Sequence, residues 1–396
     1  MPHATDGREA NAGGGAPPTV HLYDNTMRDG EQTVGVVFSV EDKLRIAEGL
    51  ARAGIRRFEA GFAAVSEEER LAIRAVVDAG FDAQVFSLAR LREAEVDAAA
   101  ETGVRHVVVF APASDVLMRA KSVGTVEQVA ESIQRVIGHA KERGLFVRFG
   151  CEDSTRAPLD RLLRFCALAA GAGADAVGLA DTAGVAMPEE VAAVVAAVRD
   201  EVALPVSIHC HNDLGLAVAN SLAAVRAGAE EVQVTVNGLG ERAGNAAMDE
   251  FVMALKVGYG VDAGVDMVEM ARLSELLVEL TGLRPAFNKP VLGRNAFRHE
   301  SGIHVQALLE EDAPTYGAFP PEWVGRRHEV AFGKHSGWSN VRYLCRECGL
   351  SLAPDAEAEV VRRIKALSQE QRREVDRGEV LEMIRALAEG ADAAPV

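Results

Sequence analysis

The sequence predicts an α/β protein, a (β/α)8 TIM barrel followed by a loop-rich and helical appendage. From residue 19 to about residue 282, short β-rich runs alternate with longer segments of helical period. This pattern is typical of repeated βα units around a parallel sheet. The chain contains eight such runs and no ninth, which favours a closed barrel over an open doubly wound sheet.

The elements can be placed individually. Three helical segments begin with a serine or threonine followed three residues later by an acid or glutamine, close to a capping box: Ser39, Ser66 and Thr125. Pro188, followed by two glutamates, opens another helix, because proline is tolerated in a first turn and acids favour the helix dipole there. The predicted strands are 20–25, 57–61, 83–88, 106–111, 146–151, 176–180, 206–210 and 231–236.

Four segments are expected along the chain. Residues 1–18, rich in Gly and Pro, lack an apolar period and predict a disordered tail. The barrel occupies 19–282, and a proline-containing linker subdomain follows over 283–344. Residues 345–396 predict a small helical subdomain, with two amphipathic helices between 355 and 387 that are split near 376–378.

Composition excludes several classes of protein. A net charge of -17 argues against a nucleic-acid or membrane-surface partner, so an anionic ligand must meet a local cluster of Arg, helix N-termini or metal. No apolar run is long enough to span a membrane, and the N-terminus lacks the basic start and apolar stretch of a signal peptide. The five scattered cysteines do not form a disulfide framework. We expect a cytoplasmic protein with reduced thiols.

Reactive side chains are concentrated where predicted strands end. His209 and His211 are two residues apart, so both project from the same side of the seventh strand. With one carboxylate from a neighbouring strand they would bind a divalent cation and leave positions open for a substrate. Asp29, after the first strand, is the natural third ligand. The neighbouring Arg28 cannot lose its proton, so it suits polarising a carbonyl rather than proton transfer.

Separated motifs then resemble a known family. The stretches 24–32, 209–213 and 240–245 are similar to the signatures of metal-dependent, acyl-CoA-condensing barrels, which include isopropylmalate, citramalate and homocitrate synthases. The resemblance covers residues 19 to about 340. Within it, 30–39 and 59–62 are similar to bacterial homocitrate synthases.

The resemblance implies further roles. Asn245 would be a weaker or second-shell metal ligand, Glu152 an acid near the reacting centre, and Thr182 the hydroxyl that holds the 2-oxo acid carboxylate. His304 and Tyr316 match a pair that this family contributes from a partner subunit, which implies a homodimer. Gln32, in the first motif, joins the substrate-binding set.

The implied reaction joins acetyl-CoA to a 2-oxo acid and then hydrolyses the thioester. The metal would be zinc, manganese, cobalt or magnesium, between which this ligand set does not discriminate. His304, helped by Tyr316 or Glu152, would remove a proton from the acetyl methyl group, because an imidazole works near neutral pH.

The preferred acceptor is 2-oxoglutarate. Arg90, Arg119 and Arg148 lie at or near the ends of strands three to five, where one of them could bind a distal anion. Isopropylmalate synthases carry a His near the position of Leu117 and usually a long regulatory domain after the helices; neither is found in this sequence, so we expect leucine synthesis to be disfavoured.

Other functions stay open. The close alternative is an acceptor with a phosphonate or phosphinate group, as in phosphonomethylmalate-type synthases, or oxaloacetate. The acceptors of citramalate and isopropylmalate synthases are further alternatives. An HMG-CoA-lyase-like C–C lyase is disfavoured, because those lyases use a cysteine after strand eight and residues 237–245 contain none. A non-catalytic scaffold is disfavoured by the intact set of reactive residues.

Overall fold

The computed structural model describes residues 20–310 and 316–392. The chain divides into two compact units, Met1–Arg284 and Pro285–Val396. The tail predicted for residues 1–18 lies outside the described residues.

The first unit is a closed barrel of eight parallel strands in sequential order, which confirms the predicted fold. The barrel closes where β1 pairs with β8, with Leu22 opposite Val232. Each predicted strand is present, with ends within two residues of those expected. The strands are β1 His21–Asp24, β2 Arg57–Gly61, β3 Gln84–Arg90, β4 His106–Pro112, β5 Phe146–Glu152, β6 Ala176–Asp181, β7 Val206–Cys210 and β8 Glu231–Val234.

Helices follow the strands and surround the barrel. Ser39 and Thr125 form full capping boxes at the starts of their helices, and Ser66 accepts a hydrogen bond from the Glu69 amide. The helices of this unit are α1 Val40–Arg52, α2 Glu67–Asp78, α3 Glu93–Glu101, α4 Asp115–Ala120, α5 Val126–Glu142, α6 Leu159–Gly171, α7 Pro188–Glu201, α8 Ala217–Arg226, α9 Met248–Tyr259 and α10 Met267–Thr281.

The second unit is mainly helical and has its own core. Its elements are β9 Arg298–His299, α11 Gly302–Leu309, β10 Glu329–Val330, α12 Trp338–Cys348, α13 Pro354–Gln371 and α14 Arg377–Asp392. Val305 of α11, Leu344 of α12 and Ile364 of α13 belong to one buried cluster. The expected division at residues 344 and 345 therefore falls within α12, and the segments on either side of it share a core.

No helix in the described part of the chain combines the length and the apolar character needed to cross a membrane.

Candidate metal centre and acceptor site

Three predicted metal ligands converge at the carboxyl ends of β1 and β7. His209 Nε2 lies 3.2 Å from His211 Nε2. Asp29 Oδ2 lies 3.6 Å from the first of these nitrogens and 3.9 Å from the second. All three residues are buried. Two imidazole nitrogens and one carboxylate oxygen so close together form the donor set of a divalent cation site.

Asn245 extends this donor set. Its Nδ2 donates to Asp29 Oδ1 over 2.9 Å and to Leu239 O over 3.0 Å. Its Oδ1 is buried and has no hydrogen-bond partner among the described residues. A buried carbonyl oxygen without a partner is costly unless an ion or water satisfies it. Because this oxygen belongs to the side chain that binds Asp29, the residues present fit a metal ion.

The second ring nitrogen of His209, Nδ1, also has a partner. This nitrogen lies 3.2 Å from the side-chain amide of Asn25. When the amide oxygen faces His209, the amide nitrogen lies 3.2 Å from Glu59 Oε2, to which it can donate. Nδ1 then carries the proton, which leaves the Nε2 lone pair free for a metal, the usual arrangement of a ligating histidine.

Electrostatics keep the three ligands ready to bind a cation. Burial, followed by the proximity of His211, lowers the pKa of His209 to about 3. Burial likewise lowers the pKa of His211. Burial alone would raise the pKa of Asp29, but the positive charge of Arg28 holds it well below its usual range. At neutral pH the site therefore consists of two neutral imidazoles and one carboxylate.

Arg28 lies beside this centre, between two acids. Its Nη1 donates to Asp29 Oδ2 over 2.6 Å, and its Nε donates to Glu59 Oε2 over 3.1 Å. Burial would lower the pKa of Arg28, but Glu59 and Asp29 raise it above its usual value. Arg28 is thus a fixed positive charge at the metal site, as a carbonyl-polarising group requires.

Glu152 and Thr182 lie at the ends of β5 and β6, and both have protein partners. Both carboxylate oxygens of Glu152 contact Lys121 Nζ, at 2.6 and 2.7 Å. The hydroxyl of Thr182 accepts a hydrogen bond from the Asp153 amide over 2.9 Å. Asp153 has left-handed backbone angles, with φ 60°, and its buried carboxylate accepts hydrogen bonds from Ser114 and Arg156. This network holds the turn directly after Glu152 and links it to Thr182.

Arg148 lies inside the barrel. Its guanidinium carbon is 4.4 Å from the centre of the Tyr23 ring and 4.9 Å from that of Phe86, and its Nη2 lies 2.5 Å from Glu231 Oε1. These partners belong to β1, β3 and β8. Among the described residues, Nε and Nη1 of Arg148 have no hydrogen-bond partner, nor does the buried Tyr23 hydroxyl.

The other predicted substrate-binding residues are closer to the surface. Arg90 is half exposed and binds Glu95 at the start of α3, with Nε at 2.7 Å and Nη2 at 2.6 Å from Oε1. Arg119 lies on α4, where its Nε donates to Asp115 O over 3.2 Å. Gln32 is exposed at the end of the 3-10 turn Gly30–Gln32.

His304 and Tyr316 lie in the second unit. Their rings are stacked, with centroids 4.1 Å apart and planes at 26°. Both residues are exposed. His299 forms a T-shaped contact with His304 at 6.3 Å between centroids, and its Nε2 lies 3.2 Å from His328 Nδ1.

Four side chains that hold the site residues are not among the residues predicted from the sequence. Glu59 binds Arg28, Lys121 binds Glu152, and Glu231 binds Arg148. Asn25 contacts His209. Glu59 and Glu231 carried a signal, since each is a charged residue inside a predicted buried strand, where charges need partners. Nothing in the local sequence marks Lys121.

Comparisons with known proteins place the chain in a family. Residues 19–277 match the family described as HMGL-like, and residues 291–372 match the homocitrate synthase post-HMGL domain-like family. The chain is 45% identical over 360 residues to homocitrate synthase AksA of Methanopyrus kandleri, covering 91% of this chain and 90% of that protein.

Two further relatives from the same organism carry different names. A putative (R)-citramalate synthase CimA is 44% identical over 362 residues, covering 91% of this chain and 71% of that protein. A probable 2-isopropylmalate synthase is 44% identical over 351 residues, covering 89% of this chain and 70% of that protein. The three identities are too close to separate the substrates.

Solved structures share the fold. The HMG-CoA lyase of Bacillus subtilis superposes with a TM-score of 0.64 at 21% identity, covering 70% of this chain and 97% of that one. The carboxyl transferase domain of Rhizobium etli pyruvate carboxylase superposes with a TM-score of 0.56 at 22% identity, covering 67% of this chain and 49% of that one. These structures show the fold, whereas the family matches and the sequence relatives show that the chain belongs to the HMGL-like family. Within it, the chain falls in the group of 2-oxo acid synthases that condense acetyl-CoA, which includes homocitrate, citramalate and 2-isopropylmalate synthases.

Proposed function

We propose that this protein is a homocitrate synthase that condenses acetyl-CoA with 2-oxoglutarate and releases CoA by thioester hydrolysis. The observation that carries the choice of acceptor is Arg148, a buried cation inside the barrel with two N–H groups free of partners in the described chain. Buried charges need a partner. Glu231 is shared between Arg148 and Arg57, which leaves a net positive charge for the distal carboxylate of a dicarboxylic acceptor.

The position of Arg148 supports this assignment. Arg148, Gly150 and Glu152 alternate along β5, so all three face the same side of the strand. Because Glu152 lies at the mouth and Arg148 deeper, an acceptor lying along this face would place its keto group near the mouth and its far end near Arg148.

The proposed chemistry divides between two groups of residues. A cation held by Asp29, His209 and His211, with Asn245 as a further ligand, would supply Lewis-acid polarisation of the keto group. Thr182 and Gln32 orient the acceptor, and Arg28 stabilises the negative charge that develops on the keto oxygen. His304, with Tyr316, takes a proton from the acetyl methyl group, and that carbon then bonds to the acceptor's carbonyl carbon. Water cleaves the thioester and CoA leaves as the thiol.

We further propose that the active unit is a homodimer in which His304 and Tyr316 serve the partner's metal centre. Apolar side chains in loops that follow barrel strands support this proposal. Val34 and Val37 after β1 are 91% and 84% exposed, Val65 after β2 is 67% exposed, and Leu214 after β7 is 56% exposed. A cluster of exposed apolar residues on one face indicates a surface that is covered in the functional state.

One observation favours a second acceptor. Leu88 packs against a cluster formed by Tyr23, Phe86 and Val108, beside Arg148. An apolar wall of this kind suits the short or branched acceptors of citramalate and isopropylmalate synthases. A phosphonate-bearing 2-oxo acid, in contrast, would satisfy Arg148 as a carboxylate does.

The test is a thiol-release assay with acetyl-CoA and a panel of acceptors, in the presence and absence of added divalent metal. The panel contains 2-oxoglutarate, pyruvate, 2-oxoisovalerate, oxaloacetate and phosphonopyruvate. We expect metal-dependent CoA release to be fastest with 2-oxoglutarate. A higher kcat/KM for pyruvate or 2-oxoisovalerate would overturn the assignment to homocitrate synthesis, and no release with any acceptor would overturn the condensing activity.

A further inference from the structure

Lys43 is a fully buried cation outside the metal centre. It lies on α1, among the apolar residues that pack against the barrel, and its side chain has no exposed surface. Its Nζ is 2.8 Å from Glu31 Oε2, 2.8 Å from both carboxylate oxygens of Glu69, and 3.1 Å from Ala60 O. A lysine is almost never buried unless it is paired. Here one lysine is shared by two acids.

The two acids belong to different parts of the barrel mouth. Glu31 lies in the 3-10 turn Gly30–Gln32, two residues after Asp29, and its second oxygen accepts a hydrogen bond from the Phe38 amide over 2.8 Å. Glu69 lies in the first turn of α2 and accepts a hydrogen bond from the Phe62 amide over 3.0 Å. Lys43 therefore joins the segment after β1 to the segment after β2.

The segment after β1 is also held at other points, among them the contacts of Asp29 with Asn245 and of Arg28 with Glu59. At its start, the amides of Arg28 and Asp29 donate to Asn25 O over 3.1 and 2.9 Å. At its far end, Thr33 Oγ1 accepts from Gly240 N over 2.9 Å and donates to Gly240 O over 3.2 Å. The residues that follow project into solvent, with Val34 91% exposed. Glu31 adds a second ionic anchor to the Arg28–Glu59 pair, two residues after the candidate metal ligand Asp29.

We propose that Glu31 is a positioning residue, which with Lys43 as its counter-ion fixes the turn that carries Arg28, Asp29 and Gln32. The proposal rests on the proposed function for its effect on catalysis, but its effect on metal binding is independent of the substrate. Asp29 must keep its carboxylate close to the two imidazoles, because a displacement of about an ångström is enough to weaken a metal site. Glu69, on the opposite side of the same lysine, has no such connection to the metal ligands.

The two acids provide a matched pair of variants, Glu31→Gln and Glu69→Gln. Each leaves one lysine facing one glutamate, so neither leaves an unpaired buried charge. Three quantities are measured for both variants and the unchanged protein: the Kd for Co²⁺ by calorimetric titration, the Tm without metal, and kcat and KM in the thiol-release assay. We expect Glu31→Gln to weaken Co²⁺ binding by about tenfold, because the ligands of a metal must be held within about 0.5 Å of their productive positions, and to raise the KM for the acceptor without changing the KM for acetyl-CoA.

Glu69→Gln separates positioning from stability. Because Glu69 has three hydrogen bonds through its carboxylate to Lys43 and Phe62, we expect Glu69→Gln to lower the Tm at least as much as Glu31→Gln does. Its Co²⁺ affinity should stay within about twofold of the unchanged protein, the usual scatter of a substitution that touches no ligand. Equal Co²⁺ affinities for the two variants would overturn the proposal.

The outcomes distinguish the two proposals. If the protein condenses no 2-oxo acid, the CoA assay is silent for every variant, but the Co²⁺ difference between Glu31→Gln and Glu69→Gln persists. If Glu31→Gln does not fold, Glu31→Asp replaces it, since it keeps the charge and withdraws it by one methylene group. The same loss of Co²⁺ affinity is expected, and its absence counts against the proposal.

Discussion

The barrel mouth and the His304–Tyr316 pair differ in how firmly their reactive groups are held. Asp29, His209 and His211 are buried and converge within 4 Å of one another, supported by Asn25 and Asn245. His304 and Tyr316 are exposed, and their principal contact is with each other. The groups that would bind metal and acceptor are therefore preorganised within one barrel, whereas the groups that would move a proton lack enclosing partners among the described residues.

The largest expected effect on activity comes from removing a ligand of the preorganised metal centre. His211→Ala removes one of three ligands, so we expect loss of bound metal and a fall in kcat of more than about a thousandfold, since a metal supplies several kcal/mol of transition-state stabilisation. Mass spectrometry measures the loss of bound metal, and the CoA-release assay measures the fall in kcat. His139→Ala is the control, because that histidine lies on α5 and pairs with Asp97. Full metal stoichiometry in His211→Ala would remove it from the ligand set.

The next largest effect tests whether Arg148 binds the distal carboxylate of the acceptor. Arg148→Met keeps an unbranched side chain but removes the buried charge. We expect kcat/KM for 2-oxoglutarate to fall by about 100-fold or more, because each charge-assisted hydrogen bond contributes about 1.5–3 kcal/mol. Turnover of pyruvate, which has no distal carboxylate, should change little. Arg164→Met, which removes a surface pair with Glu127, is the control. An equal loss with both acceptors would show that Arg148 acts on structure instead of specificity.

The barrel strands and the metal ligands could both be predicted from the sequence. The eight strands were found because buried parallel strands are continuous apolar runs bounded by turn residues. The convergence of Asp29 with the two histidines followed from the spacing of His209 and His211 and from the rule that the strand ends of a barrel meet at one mouth.

Contacts between distant residues were not predictable in this way. Arg90 and Arg148 both lie on barrel strands and both look like free cations in sequence, yet Arg90 is half exposed and bound by Glu95, whereas Arg148 is buried with free N–H groups. Likewise, no local pattern shows that Lys121 binds Glu152. Such pairings depend on which side chains the closed barrel brings together, and this information is not contained in spacing.

The smallest effect concerns stability and pH. Asp24 is fully buried at the end of β1, and burial raises its pKa to about 7. Because this pKa is above the value of about 3.9 for an unfolded chain, its contribution to stability is complete below pH 4 and is lost as the pH rises to about 7. Asp24→Asn cannot ionise. We expect the free energy of unfolding of Asp24→Asn, taken from thermal unfolding curves relative to the unchanged protein, to be higher at pH 6 than at pH 4 by about 2 kcal/mol. A pH-independent difference would contradict the raised pKa.

In the proposed homodimer, each active site combines Asp29, His209 and His211 of one chain with His304 and Tyr316 of the other. The most direct measurement is the CoA release of a purified hybrid dimer, with one chain carrying Asp29→Ala and the other His304→Ala, isolated through two different affinity tags. If His304 serves the partner, the hybrid holds one intact site of two and should show about half the activity of the unchanged dimer, as two-fold symmetry requires, although each parent variant is inactive. If each chain completes its own site, the hybrid has none intact, and a hybrid as inactive as its parents would contradict the account.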